Sequence, residues 1–159
     1  MSELKIKTVE DSKTEVSHLL FSKHMNSAGR LFGGQLLMWI DEVAGIVARR
    51  HCEGNLTTAC IDNLQFKEPG YENDVIVIIG YVTHVGRSSM EIRIDTYVER
   101  PDGSRHPVNR AFFVMVALDA NNKPVEVPRL KIQTIDEQAK WDAAEKRIEL
   151  RKQRRDEGF

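Results

Sequence analysis

The sequence predicts an α+β domain, an antiparallel sheet with one long helix held against it. Three observations lead there. Residues 34–51 form a helix-length segment that is apolar around most of its circumference. Four later segments carry the two-residue alternation or the β-branched content of strands. The connections among them are only a few residues long, enough for antiparallel neighbours and too short for parallel crossovers.

Taken in order, residues 1–13 are polar and read as a loose lead-in. Residues 14–21 are mixed and read as a first strand, followed by a loop from Ser22 to Phe32. The helix then runs from about Gly34 to His51. At the helical period Val43, Leu36, Val47, Ile40, Ala44, Leu37, Ala48, Asp41 and Gly45 form one arc, and Asp41 is its only charge. The opposite face carries Gln35, Glu42 and Arg49 but also Met38, Trp39 and Ile46, so the helix is expected to be enclosed on most sides. The exposed apolar remainder, Trp39, Ile46 and the strand edges, predicts assembly into at least a dimer.

Strands are predicted over 56–66, 74–85, 90–99 and 109–119. The second, with Val75-Ile76-Val77-Ile78-Ile79, reads as buried on both faces. Gly86-Arg87-Ser88, Pro101-Asp102-Gly103 and Asn121-Asn122-Lys123-Pro124 have the composition of turns. From Ile135 to about Asp156 the pattern is helical again, with a narrow stripe of Trp141, Ala144 and Ile148 and helix-spaced ion pairs Asp136/Lys140 and Asp142/Lys146. Its basic end (Arg147, Arg151, Lys152, Arg154, Arg155) is interleaved with acids and reads as frayed and solvated. The expected division is a lead-in (1–13), a central domain (14–132) and a C-terminal helix with a basic tail (133–159).

The chain has 159 residues, room for one domain with a real core. A net charge of −1 argues against nucleic acid as a partner. No apolar run approaches the roughly 20 residues of a membrane span, and Met1–Lys7 lacks the apolar block of a signal peptide. Cys52 and Cys60 form no CxxC pair and the histidines are scattered, so neither a disulfide framework nor a metal site is expected, and the reading is cytoplasmic.

One stretch reads as chemistry. Gly33 and Gly34 stand where the helix begins, and glycines there leave backbone N–H groups open to a ligand at the positive end of the helix dipole. Asp41 lies two turns on, on an apolar arc that should desolvate it. Donors for an oxyanion plus a carboxylate are what acyl transfer to water requires. The alternatives at each position are a buried Asp held by an Arg or a backbone amide, and glycines that only turn the chain into a helix.

These residues also carry a resemblance. Asn26-x-x-Gly29-x-x-Phe32-Gly33-Gly34, followed by Asp41-Glu42-x-Ala44-Gly45, resembles the hotdog-fold acyl-CoA thioesterases, in particular the cytosolic acyl-CoA hydrolase group. Matches continue in order through Ala48-Arg49-Arg50-His51-Cys52, Thr57-Thr58-Ala59-Cys60-Ile61-Asp62, Gly86-Arg87-Ser88-Ser89-Met90-Glu91, Phe113 to Asp119 and Val127-Pro128, across residues 14–130. Asn73-Asp74 departs from the Gly-Asp common in relatives and affects only a turn.

The resemblance implies a hotdog fold, a sheet of five or six strands wrapped round the helix. It implies hydrolysis of acyl-CoA, with Asp41 as general base or nucleophile, Asn26 orienting water or the thioester, and Gly33 and Gly34 as oxyanion donors. The Asn and the Asp of one site would come from different subunits of a trimer of dimers. Gly86, Arg87, Ser88 and Ser89 would lie along CoA, Arg87 on a phosphate and the serines on the pantetheine; otherwise they are a hairpin turn. No metal or prosthetic group is implied, CoA being part of the substrate. Two other classes stay open: a hotdog hydratase or dehydratase, which usually pairs its acid with a histidine, and a non-catalytic acyl-CoA-binding domain. Asp62 reads first as a structural hydrogen-bonding residue, and His24 as a loop residue, since no Gly-x-Ser-x-Gly elbow supports a serine triad.

Overall fold

The computed structural model describes residues 3–159. Along the chain come β1 (Ile6–Thr8), α1 (Val9–Ser12), β2 (Thr14–Leu19), a 3-10 turn (Ser22–His24), α2 (Gly33–Cys52), β3 (Asn55–Asp62), β4 (Val75–Val85), β5 (Ser89–Glu99), β6 (Arg105–Leu118), β7 (Arg129–Lys131) and α3 (Ile135–Glu157). Five strands form one antiparallel sheet in the order β2-β4-β5-β6-β3. Strand, long helix, then four strands is the predicted order, and the sheet lies round α2 as expected; β4, β5 and β6 pair in sequence, but β3 pairs with β6 and β2 with β4.

The core is the space between α2 and the inner sheet face. Leu36, Ile40, Val43 and Val47 of α2 meet Ile76, Ile78, Ile92, Ile94 and Phe113 of the sheet. Gly80 sets how close they come. A Cβ there would lie 2.8 Å from Ile94 Cδ1 and 3.0 Å from methyls of Val43 and Val47, so the helix rests on bare backbone. The buried arc is rotated from the expected one. Trp39, expected outside, is buried, while Leu37 and Gly45 are only half-buried and Asp41 is exposed. The reason is His18 of β2, whose ring stacks on Trp39 at 4.1 Å and 4° and draws that side of the helix inward. Ile46 remains exposed, as expected, and Met38 is exposed as well.

Two terminal segments are better ordered than the sequence suggests. The lead-in forms β1 and α1, apart from residues 1–2, which lie outside the described span. β1 pairs in parallel with β7, and Lys5 and Lys7 both reach Glu53, which ends α2 in the left-handed region at φ 56°. These lysines hold the exposed Glu53 carboxyl down at about 2. The basic tail is not frayed: α3 stays helical to Glu157 and docks on the outer sheet face. Glu91, 3% exposed, accepts from Thr83 Oγ1 at 2.6 Å, Arg147 Nη2 at 2.7 Å and Arg151 Nη2 at 2.6 Å. Asp62 is paired with Arg151 and accepts from Arg154 Nη2 at 2.8 Å. Burial pushes both carboxyls up, but the guanidiniums around them outweigh it and hold each below its ordinary value.

The strand expected over 56–66 ends at Asp62, and residues 63–74 instead form a loop over one end of the sheet. β3 is one of the two edge strands, with β2 at the other edge, and is largely exposed along its length. Its outer edge offers unpaired backbone groups to a further strand. Among the described residues no helix is long and apolar enough to cross a membrane.

Candidate active site

The loop ahead of α2 is built on Asn26. Its backbone N–H donates to Arg30 O at 2.7 Å, its C=O accepts from Gly29 N at 3.0 Å, and Gly29 takes φ +71°, which its lack of a Cβ allows. The side-chain Oδ1 accepts from Ala28 N at 2.9 Å and Arg30 N at 3.2 Å. Two backbone donors fix the amide's orientation, leaving Nδ2 to donate elsewhere; it has no partner among the described residues. His24 pins this loop. Its Nδ1 accepts from Phe21 N at 3.0 Å, its C=O accepts from Phe32 N at 2.9 Å, and its ring meets Trp39 edge-on at 5.0 Å. The loop reading of His24 holds.

α2 begins at Gly33, one residue earlier than expected, with Phe32 at its N-cap and no side chain capping it. The first N–H groups are therefore available. Gly33 lines a cleft of about 250 Å³ with Asn26, Leu36, Phe66, Ile76 and Val108. A Cβ on Gly34 would fall 2.6 Å from the exposed Phe32 ring, so a side chain there displaces that ring.

Asp41 corrects an expectation. In the single chain it is exposed, at the border of the buried arc where α2 faces β3, and it does not line the cleft shared by Asn26 and Gly33. It is not locked in an internal ion pair. Its one side-chain partner is Thr58 of β3, whose hydroxyl lies 3.1 Å from Asp41 Oδ1 and 3.3 Å from Met115 Sδ. Sequence reasoning gave Thr58 no role. The signal lay in a threonine two residues past Leu56 on the strand that follows the helix; both face inward, and a bulge after Thr58 then makes Ile61 rather than Cys60 the next inward residue.

Gly86–Ser89 forms the β4–β5 hairpin turn, with Gly86 N donating to Ser89 O at 2.8 Å. Arg129 braces it, its Nη2 donating to Gly86 O at 2.6 Å. Arg87 points outward, 86% exposed, with Glu126 at 3.4 Å. Ser88 and Ser89 are half-buried. Asp62, held by Arg151 and Arg154, is structural, as its first reading had it. Among the described residues no group of three or more His, Cys, Asp or Glu is placed to hold a metal ion.

A sequence profile described as Thioesterase superfamily matches residues 28–103. An uncharacterised acyl-CoA thioester hydrolase of Bacillus subtilis is 37% identical, over 92% of this chain and 86% of its own length. The cytosolic acyl coenzyme A thioester hydrolase of Rattus norvegicus is 35% identical over 85% of this chain, which spans only 36% of that longer protein. An apo-hexameric acyl-CoA thioesterase superposes with a TM-score of 0.91 at 35% identity, covering 95% of this chain and 97% of its own. An acyl-CoA hydrolase of Staphylococcus aureus, solved with butyryl-CoA and CoA, superposes at 0.88 with 30% identity, covering 96% and 93%. That enzyme has also been solved with an asparagine, an aspartate or a threonine replaced by alanine.

Proposed function

The chain belongs to the Thioesterase superfamily of hotdog folds, and we propose that it hydrolyses acyl-CoA thioesters to free CoA and a carboxylic acid. The observation that carries this reading is the uncapped start of α2, whose Gly33 shares a cleft with the free amide of Asn26.

The thioester carbonyl sits against the N–H groups of Gly33 and Gly34. They stabilise the negative charge that develops on its oxygen as water adds; losing one such donor typically costs roughly 3 kcal/mol in the transition state. Asn26 Nδ2 orients the thioester or the water. Thr58 holds Asp41 Oδ1, so Oδ2 is the oxygen that takes the water proton or attacks the carbonyl carbon itself. The C–S bond then breaks and the CoA sulfur leaves, taking up a proton; where Asp41 is the nucleophile, water then cleaves the mixed anhydride, releasing the carboxylic acid and restoring the carboxylate. Support for these roles comes from spacing: the three altered positions of the S. aureus hydrolase are separated as Asn26, Asp41 and Thr58 are here.

Asn26 and Asp41 do not line one cavity in the single chain. The complete site is therefore composite, with Asp41 of one subunit meeting Asn26 and Gly33 of another. Hexameric relatives and the open edge of β3 support a homo-oligomer, read here as a trimer of dimers. Arg87 of the β4–β5 turn pairs a CoA phosphate, with Ser88 and Ser89 on the pantetheine. The location is cytoplasmic and no resident cofactor takes part. A hydratase is disfavoured by the partner of Asp41, a threonine rather than a histidine.

The test is release of free thiol from acyl-CoA by the wild type, Asp41→Asn and Asn26→Ala. Strong loss of turnover in both variants, with acyl-CoA still bound, is expected. Undiminished hydrolysis by Asp41→Asn would remove that residue from the mechanism.

A further inference from the structure

The inner face of the sheet contains one conspicuous exception to its apolar pattern. Along β5 the residues facing α2 are Met90, Ile92, Ile94, Thr96 and Val98, and along β6 Ala111, Phe113, Met115 and Ala117. Thr96 is fully buried and stands opposite Asn109, itself only 5% exposed. Thr96 Oγ1, Asn109 Oδ1 and Asn109 Nδ2 have no hydrogen-bond partner among the described residues. Three unpaired polar atoms next to one another in a core are costly, each on the order of 1–3 kcal/mol of lost solvation. Such atoms are satisfied by an ordered water or by a polar group of a ligand.

The register supplies the second observation. Thr96 pairs with Asn109 and Tyr97 pairs with Pro107, so Val108 is an extra residue, a β-bulge. A bulge re-aims the side chains beside it. Here Val108 and Asn109 are both buried, and Val108 lines the cleft that opens at Asn26 and Gly33. Ile76 of β4 lines the same cleft. Thr96 pairs with Ile78, two residues along β4 from Ile76, and with Asn109 beside Val108. The polar pair does not line the cleft itself but occupies the next row of the sheet, beside Ile76 and Val108, which do.

We propose that Thr96 and Asn109 form the inner end of the acyl-binding cleft and bind a hydroxyl or oxo oxygen carried on a short acyl chain. This deepens the thioesterase reading and rests on it. A hydroxyl suits the pair because it donates to Asn109 Oδ1 and accepts from Asn109 Nδ2 or Thr96 Oγ1, and an oxo oxygen accepts from the same two donors. A plain alkyl chain entering the cleft leaves all three atoms unpaired. Thr96 and Asn109 are thus specificity residues, not catalytic ones.

The test compares hydrolysis of 3-hydroxybutyryl-CoA and butyryl-CoA, equal in carbon number, by the wild type, Thr96→Val, Thr96→Ser and Asn109→Ala, followed by thiol release. The wild type is expected to prefer the hydroxyacyl substrate by about 10-fold in kcat/KM, the scale of one net hydrogen bond. Thr96→Val should fold with a raised Tm, since it removes an unpaired hydroxyl, and bring the ratio toward one. Thr96→Ser should keep the preference, and Asn109→Ala should lose it. A wild-type ratio near one, or a ratio unchanged in Thr96→Val and Asn109→Ala, overturns the proposal and leaves the thioesterase reading intact, the pair then being satisfied by water alone. Hydrolysis of longer acyl-CoAs but of neither C4 substrate overturns the proposal alone, and absence of hydrolysis of any acyl-CoA from acetyl to palmitoyl overturns both.

Discussion

Glu91 and Asp41 are carboxylates held in opposite ways. Glu91, on the outer face of the sheet, is 3% exposed and takes hydrogen bonds from Thr83, Arg147 and Arg151. Asp41, at the border of α2 and β3, is exposed in the single chain and has Thr58 as its one side-chain partner. A carboxylate whose lone pairs are all engaged by guanidiniums cannot take a proton from water without dismantling its surroundings. One that is oriented by a single hydroxyl keeps an oxygen for chemistry. The more completely an acid is satisfied, the more it belongs to the fold; the incompletely satisfied one is the candidate for catalysis.

Exchanging the two acids for neutral groups should separate these roles. Asp41→Asn is expected to cut kcat by about 1,000-fold, within the usual range for a lost acid–base group, while Tm stays close to that of the wild type. Glu91→Ala should do the reverse. It leaves Arg147 and Arg151 facing each other in a poorly hydrated cleft under α3, at about 3 kcal/mol of stability, with kcat per folded molecule nearly unchanged. Thermal melts and thiol-release rates on the same preparations check both. Large stability loss in Asp41→Asn would erase the distinction.

Acid should act on the same contrast. Glu91 and Asp62 are held below their ordinary values of 4.5 and 3.8 by the arginines of α3, against the opposing effect of burial. Groups depressed in the folded chain contribute stability that is complete above the unfolded pKa and is lost as pH falls through the folded one. Tm should therefore be flat down to about pH 5 and decline below it. Glu91→Gln should show a shallower decline than the wild type over the same interval. Equal slopes would mean that other carboxylates set the acid response.

Much of this contrast is invisible along the chain. The pairing of β4, β5 and β6 was legible because short turns force sequential antiparallel neighbours, and α2 was legible because its apolar residues recur at the helical period; the place of β3 beside β6 was not, since the long segment 63–74 that follows it fixes no neighbour. Asn26, Gly33 and Gly34 were legible as a motif, and the structure brings Asn26 and Gly33 to one cleft. The environment of Asp41 was not. Periodicity counts apolar neighbours but cannot tell which edge of an arc the sheet covers, and the stacking of His18 on Trp39 decided that. The tail was misread for a similar reason. Arg147, Arg151 and Arg154 look solvated among their neighbouring acids until β3 and β5 bring Asp62 and Glu91 beneath them, from 56 to 92 residues away.

Thr58 tests the contrast at a finer grain. If one hydroxyl is what orients Asp41, Thr58→Val keeps the shape of β3 and removes only that donor. Turnover should fall by about 10-fold, the scale of one hydrogen bond to a charged group, with KM little changed, and Thr58→Ser should restore most of it. A Thr58→Val enzyme with full activity would show that the subunit partner, not β3, orients the acid.

The smallest effect is expected at Arg87, and it carries the comparison to the cationic side. The arginines of α3 are fixed by two carboxylates, whereas Arg87 is 86% exposed and only loosely paired with Glu126 at 3.4 Å. An exposed ion pair of this kind contributes little to stability, so Arg87→Ala should leave Tm unchanged. If this exposed guanidinium pairs a CoA phosphate as proposed, the attraction is one that salt screens. Arg87→Ala is therefore expected to raise KM for acyl-CoA about threefold at low ionic strength, with kcat unaltered. The difference from the wild type should shrink as salt is added. A KM shift that persists at high salt would place Arg87 in direct packing against the substrate, and no shift at all would leave the Gly86–Ser89 turn a hairpin and nothing more.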